Sequence, residues 1–376
     1  MASAEGPAVV CLEFFSGIGG LHHGLMGSGV DGRVAMAWDM NENANAVYQG
    51  SFGQRPSNKA IDHLTAADID RFGASCWLLS PPCQPYTRGG NYGDADDPRA
   101  RGLLRLVDLL ARVGSRPTHV FVENVLNFEN SRSRALLVAA LLALGFEVQE
   151  WLLSPRQMGI PNNRQRYYLA ARLRWPEPQP AATASAHAAW AAANSARAQA
   201  YLARGRAVLR AEWPFGPAPG TAAGRPLASY IDPACDADPA LQVPAADILK
   251  RKRLGLDIVQ RTSAGTATFT KAYGSRHLIG SGSLLQTRST DTDGMAAQTP
   301  EELLALGLRF FSPDEVARLH HFPTAAADAA PRLLFPPHLS LRQRLQLLGN
   351  SLNVHVVAQL LRHVLFAADP WERMAE

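Results

Sequence analysis

The sequence has little of several things that would mark out a function class. It carries four cysteines in 376 residues (Cys11, Cys76, Cys83 and Cys235), none in a C-x-x-C pair. That excludes a disulfide scaffold and leaves no structural zinc motif, so no metal is expected. Sparse cysteine fits a reducing compartment, where a free thiol can act as a nucleophile. No uninterrupted apolar stretch reaches the ~18 residues of a membrane span, and the opening MASAEGPAVVCLEFF has no basic start followed by an apolar core and cleavage site. These absences lead us to expect a soluble intracellular protein, cytoplasmic with the nucleus left open, and with no membrane partner. Charge is scarce too: 19% of residues are charged and the net charge is +4, with Arg far ahead of Lys. Such an excess permits a polyanionic partner, whose basic face would be local and not global. There is no internal repeat. With 47% hydrophobic residues the chain can bury a large core, as one big domain or two lobes.

Short apolar runs alternate with amphipathic ones from Val9 to Trp175, the pattern of an α/β fold. Val9–Phe15, Val34–Trp38, Cys76–Leu79, Thr118–Val122, Val148–Leu153 and Tyr167–Leu173 read as buried strands. Gly102–Val113 and Arg132–Leu144 have helical spacing, the second with a stripe of Leu136, Leu137, Ala140, Leu141 and Leu144 before a C-terminal Gly145. The last two strands have no full helix between them, which predicts an antiparallel hairpin at the sheet edge. Ala181–Glu212, rich in alanine, is either a helix or an insertion without order. Gly/Pro-rich 217–226 follows, then a region without clear periodicity to about Pro337. Leu352–Leu365 is again an apolar helix, with Val356, Val357, Leu360, Leu361 and Val364 on one face, and needs the first-half sheet to cover. The expected division is residues 8–175 and 338–368 for one lobe and 176–337 for a smaller one.

Four strings carry chemistry. Phe15-Ser16-Gly17-Ile18-Gly19-Gly20 follows a strand and opens a helix, so backbone N–H groups can approach a ligand at the switch point of a parallel sheet. Its spacing is not the G-x-G-x-x-G of dinucleotide enzymes. Asp39 ends the second strand, where an acid takes the hydroxyls of a ribose; the pair points to a nucleoside-type cofactor over a plain turn with a capping Asp. Ser80-Pro81-Pro82-Cys83-Gln84-Pro85 leaves regular structure at the carboxyl edge of the sheet, where active sites sit. Cys11 and Cys76, inside apolar runs, read as core. An active Cys83 needs positive charge nearby, with Arg88, Arg164 and Arg166 as candidates. Phe121-Val122-Glu123-Asn124-Val125 brings an acid to the same edge: a surface carboxylate alone, a general acid beside Cys83. Arg164-Gln165-Arg166 would aim two guanidinium groups one way along a strand, unless the pair guards a sheet edge.

In this order, with Gly349-Asn350-Ser351 near the end, the strings resemble the C5-cytosine methyltransferase family, over Val10 to about Trp175 and Phe310 to Leu365. Within it, Gly19-Gly20-Leu21-His22-His23, Pro85-Tyr86-Thr87-Arg88, Phe269-Thr270-Lys271-Ala272-Tyr273-Gly274 and Leu352-Asn353-Val354-His355 look like the DNA methyltransferase homologue two subgroup. Where that subgroup has Cys-Phe-Thr, this chain reads Thr268-Phe269-Thr270, which removes any role for a second cysteine there. The resemblance implies a Rossmann-like methyltransferase sheet with a smaller target-recognition lobe. It also implies methyl transfer from S-adenosyl-L-methionine to C5 of a cytosine through a Cys83–C6 bond, with Glu123, Arg164 and Arg166 as catalytic partners. Phe15, Ile18, Gly19, Gly20, Asp39, Ile61, Asp62, Ser80 and Ser351 would hold the cofactor. The substrate it implies is tRNA, at cytosine 38 of the aspartate anticodon loop. A loop is cheaper to unstack than a duplex by roughly a few kcal/mol. Arg88, Lys271, Arg276, Arg288 and Lys250-Arg251-Lys252-Arg253 are candidates for the phosphate face, although a basic run is often plain solvated surface. The rivals are a DNA cytosine-C5 methyltransferase and a silent nucleic-acid-binding protein that kept the fold. A Rossmann dehydrogenase fails on the glycine spacing.

Overall fold

A computed structural model describes residues 8–87, 93–173, 184–216, 225–249, 255–288, 299–324 and 331–367. Six long strands form the body of a sheet: β1 (Val9–Phe14), β2 (Gly32–Trp38), β3 (Cys76–Leu79), β4 (His119–Val125), β5 (Phe146–Leu153) and β6 (Arg166–Leu173). A two-residue β7 (Leu209–Arg210) completes it in the order β2-β1-β3-β4-β6-β5-β7. The four strands β2, β1, β3 and β4 run parallel, and β6 then pairs antiparallel with both β4 and β5. The expected hairpin is therefore present, but β6 is inside the sheet and β7 lies beyond β5. An edge-guard role for the Arg pair at the start of β6 is excluded, because β6 is not an edge.

Helices cover both faces. On one side α1 (Gly20–Ser28) and α2 (Glu42–Phe52) follow their strands; α3 (Ala66–Asp70), which leads into β3, packs on the opposite face. The other side carries α4 (Arg101–Leu110), α5 (Arg132–Ala143) and α6 (Ala184–Ala203). The alanine-rich stretch is thus helical, and it packs on α5. Together with β7 this joins chain beyond residue 176 to the large sheet, a layering that the expected division at that point did not anticipate. On α5 the buried stripe is Arg134, Leu137, Val138, Leu141 and Leu142, rotated from the predicted one, and Leu136 is 40% exposed. The cause is Arg134, a charge in a core position. Its guanidinium meets the Glu150 carboxylate on β5, which also accepts from the hydroxyls of Tyr167 and, at 2.9 Å, Tyr201 on α6. This buried cluster ties α5, α6 and the sheet together. Removing one partner of such a pair strands the other charge. We expect Arg134→Ala to lower unfolding free energy by about 3–5 kcal/mol in urea melts; an unchanged midpoint would contradict the assignment.

The rest of the chain builds a smaller sheet in the order β10-β9-β8, from β8 (Ile258–Val259), β9 (Leu284–Gln286) and β10 (Leu308–Arg309), with α7 (Ala245–Leu249), α8 (Pro300–Ala305) and α9 (Pro313–Leu319) around it. The chain then returns through α10 (Leu341–Gly349) and α11 (Val354–Leu360), which continues in a wider turn over Leu361–Leu365. Val356, Val357, Leu360, Leu361 and Val364 are all fully buried, as predicted. α11 lies along α1, where a Cβ at Gly24 would stand 2.4 Å from Val357, so only glycine permits this approach. No helix among the described residues is long and apolar enough to cross a membrane.

Candidate active site

The carboxyl ends of β1, β2, β3 and β4 open on one cavity of ≈ 550 Å³. At its first wall, the chain leaving β1 turns through three left-handed residues: Phe15 (φ 58°), Gly17 (φ 52°) and Gly19 (φ 82°). The turn is anchored from beneath. Gly17 N–H donates to Asp39 Oδ2 at 2.8 Å, Asn41 N–H donates to Asp39 Oδ1 at 2.8 Å, and Ser80 Oγ donates to the Phe15 carbonyl at 2.9 Å. Burial raises the Asp39 carboxyl above its ordinary value, and these amide bonds pull it back. Each Asp39 oxygen keeps acceptor capacity for a hydroxyl. A buried Glu13, pushed up to about 8 by burial, supports the start of α1 by accepting from Tyr48 OH and the His22 N–H.

Pro81 and Pro82 cannot continue the β3 ladder. The bend they make is held by Asn124 Nδ2, which donates to the Pro81 carbonyl at 3.2 Å, and it presents a half-buried Cys83. On β4, Glu123 pairs across the ladder with Tyr168, and Val125 with Arg166. That register puts Arg166 diagonal to Glu123 on one face of the sheet; Nε lies 3.7 Å from Oε1, with both side chains nearly buried. Burial raises the Glu123 carboxyl, opposed by Arg166 and then Arg164. Burial likewise raises the Cys83 thiol, with Arg166 drawing it down and the Glu123 carboxylate pushing it up. The three groups thus form one electrostatic unit.

Arg164 behaves differently from its expected twin. It precedes β6 and is 2% exposed, and it donates to the carbonyls of Phe269 (2.8 Å), Gly349 (3.3 Å) and Ser351. Burial lowers this guanidinium to about 9. Its hydrogen bonds fasten the small sheet's approach and the Gly349–Ser351 turn to the large sheet. Gly349 is obligatory there, since a Cβ would lie 2.2 Å from the Thr270 carbonyl oxygen.

Of the predicted residues, Phe15, Ile18, Gly20, Asp39, Ile61, Asp62, Ser80, Cys83, Glu123, Arg164, Arg166, Lys271 and Ser351 all line this cavity. Gly19 does not. Its Cβ position faces the Phe52 ring at 2.4 Å and its N–H is bonded to Ser16, so it shapes the turn from behind. Arg276 and Arg288 are exposed and away from the cavity. Arg88 and Lys250–Arg253 lie outside the described residues. Sequence reasoning missed Lys59, Arg99, Asn124 and Leu347, which also line the cavity. Only Asn124 carried a signal, as Glu123's neighbour. Thr268, in place of the subgroup's cysteine, donates its hydroxyl to the Asn163 carbonyl at 2.5 Å. No group of metal-ligating side chains is present among the described residues.

A family model for the C-5 cytosine-specific DNA methylases matches residues 9–191. The chain is 36% identical to the tRNA (cytosine(38)-C(5))-methyltransferase of Bos taurus, over 93% of this chain and 97% of that protein. It belongs to the C5-cytosine methyltransferase family. Another C5-cytosine methyltransferase relative, the DNA (cytosine-5)-methyltransferase of Dictyostelium discoideum, is 33% identical over 93% of each chain. The crystal structure of a mutant of Spodoptera frugiperda DNMT2 superposes with a TM-score of 0.72 at 31% identity, covering 94% of this chain and 99% of that one. The Rossmann-like methyltransferase fold follows, and with it S-adenosyl-L-methionine as the methyl donor of this C5-cytosine methyltransferase. The cavity suits that donor. It joins an apolar wall of Phe15 and Ile61 to the carboxylates of Asp39 and Asp62 and to the glycine turn, and its far end reaches Cys83.

Proposed function

We propose that this enzyme methylates C5 of cytosine 38 in the anticodon loop of aspartate tRNA through a covalent bond from Cys83 to C6 of the ring. The observation that carries the chemistry is the meeting, in one cavity, of the Cys83 thiol with the Glu123–Arg166 pair at the mouth of a nucleoside-type pocket. Phe15, Ile18, Gly20, Asp39, Ile61, Asp62, Ser80 and Ser351 are the residues that would hold the donor, with Gly19 acting through the turn. S-adenosylmethionine, when bound, supplies an electrophilic methyl group to C5.

Cytosine C5 is a poor nucleophile until a thiolate adds to C6. Arg166 and Arg164 favour the Cys83 thiolate, and the protonated Glu123 carboxyl donates toward N3 as addition places negative charge on the ring. After methylation a base takes the C5 proton, the C5–C6 double bond re-forms, and the Cys83–C6 bond breaks to return the thiolate. Arg164 is a positioning residue in this account: it bonds three carbonyls, including that of Ser351 in the cavity wall. The target base must leave its stack to reach Cys83, which an unpaired loop permits most cheaply.

tRNA is favoured over DNA because an unpaired loop yields its base most cheaply, and because the bovine tRNA enzyme is nearer in sequence, at 36% identity, than the Dictyostelium DNA enzyme, at 33%. Lys271 at the cavity is the first candidate for a phosphate contact, with Arg276 and Arg288 further out and Arg88 a candidate from the sequence alone. Given labelled S-adenosylmethionine, transcribed tRNA-Asp is expected to take up methyl in preference to duplex DNA in a filter assay. Strong labelling of DNA with none on tRNA would transfer the assignment to DNA.

A further inference from the structure

A second cavity, of ≈ 360 Å³, lies against α1 and the start of α11, and shares no lining residue with the catalytic one. Its walls bring together Arg225, Arg318, His23, His321 and Tyr230, with Phe322 as an apolar side. No carboxylate lines it among the described residues. Arg318 spends its Nε on the Tyr230 carbonyl at 3.0 Å, which fixes the side chain and leaves the terminal nitrogens of the guanidinium. His23 is 3% exposed, and its Nε2 is buried with no hydrogen-bond partner. A buried polar atom left unpaired is costly and calls for an explanation. Tyr230 OH lies 3.4 Å from His321 Nε2, and His321 holds a left-handed backbone (φ 59°) that places its ring at this wall. Non-glycine residues take that conformation only where surrounding structure imposes it.

Two guanidinium groups with no opposing acid select an anion over a cation, while burial holds His23 and His321 down to about 3 and so neutral. Guanidinium groups match the tetrahedral oxygens of phosphate. The volume exceeds what one phosphate needs and lies within the range of small-ligand sites. We propose that this cavity is a binding site for an organic phosphate, held by Arg225 and Arg318, with His23 and His321 in its wall. The phosphate has two sources, a free phosphorylated metabolite or a backbone phosphate of the bound RNA.

The test uses the full chain labelled with ¹⁵N-histidine and titrated with inorganic phosphate and with adenosine 5′-monophosphate. The imidazole signals of His23 and His321, assigned from His23→Asn and His321→Asn spectra, should shift and saturate. Arg225→Gln, at an exposed side chain that the fold does not need, should weaken the saturation constant about tenfold or more, the worth of one charged hydrogen bond. Arg318→Gln, checked for an unchanged melting temperature, should do the same. Absent or unsaturable shifts, or shifts that persist equally in both variants, overturn the proposal. The salt dependence of tRNA binding then identifies the source. A backbone phosphate seated here makes Arg225→Gln reduce the log–log slope by roughly 0.7–0.9. A free metabolite leaves that slope as it was while the imidazole response is lost.

Discussion

Cys83→Ala should abolish methyl transfer, by at least about 10⁴-fold in single-turnover rate, while cofactor affinity changes little. The thiol is the group that turns an inert C5 into a nucleophile, and no other described side chain at the cavity can replace it: Cys11 and Cys76 are buried in the sheet and Cys235 lies in the other lobe, outside the cavity wall. The side chain is only half-buried, so its loss opens no core void. The same variant should fail to form a denaturation-stable adduct with tRNA carrying 5-fluorocytosine, which blocks the final proton loss. Transfer surviving within tenfold of the parent, or an adduct mapped to another residue, would remove the covalent route.

Glu123→Gln should reduce the rate by about 10² to 10⁴-fold, the usual worth of a positioned proton donor. It should also leave a second signature that simple damage to the fold would not. The Glu123 carboxylate pushes the Cys83 thiol up, whereas Arg166 draws it down. The amide removes that negative neighbour while both arginines stay. The midpoint of Cys83 alkylation by iodoacetamide therefore moves to lower pH in Glu123→Gln, and rises in Arg166→Gln. A variant with unchanged rate, or a midpoint that moves the opposite way, would deny the three groups their mutual coupling. In the parent enzyme the same sign argument favours activity that grows with pH as the thiol ionises. It declines again at higher pH as the proton donor is lost, the two limbs belonging to the coupled Cys83–Glu123 pair and not to either group alone.

Much of this site was legible because its parts are local. A glycine turn after a strand, two prolines before a cysteine, and an acid at a strand end each announce their geometry over five or six residues. The strands themselves were readable from apolar runs, with ends displaced by two or three residues where polar Glu123 and Asn124 proved to continue β4. What escaped depends on partners distant in sequence. Arg164 and Arg166 look equivalent two apart, yet one is consumed by carbonyls 105 to 187 residues away while the other faces Glu123. The stripe of α5 was misread because a charged Arg134 counts as solvent-facing until Glu150 is found opposite it. Gly19 passed for a ligand contact because glycine spacing does not reveal which face a ring such as Phe52 will occupy. Lys59 and Arg99 reach the cavity from segments with no motif of their own.

The return of the chain to its first lobe sets an order of events during synthesis. Ser351 and Leu352 complete the cavity wall by packing directly against Gly20, which is made more than 300 residues earlier. Until the stretch carrying α10 and α11 leaves the ribosome, Val357 is missing from the groove at Gly24 and two of Arg164's three acceptors do not yet exist. A nascent chain therefore exposes an apolar helix face and a buried-type cation for most of its translation. The cofactor cavity gains its last wall only when the end of the chain has been made.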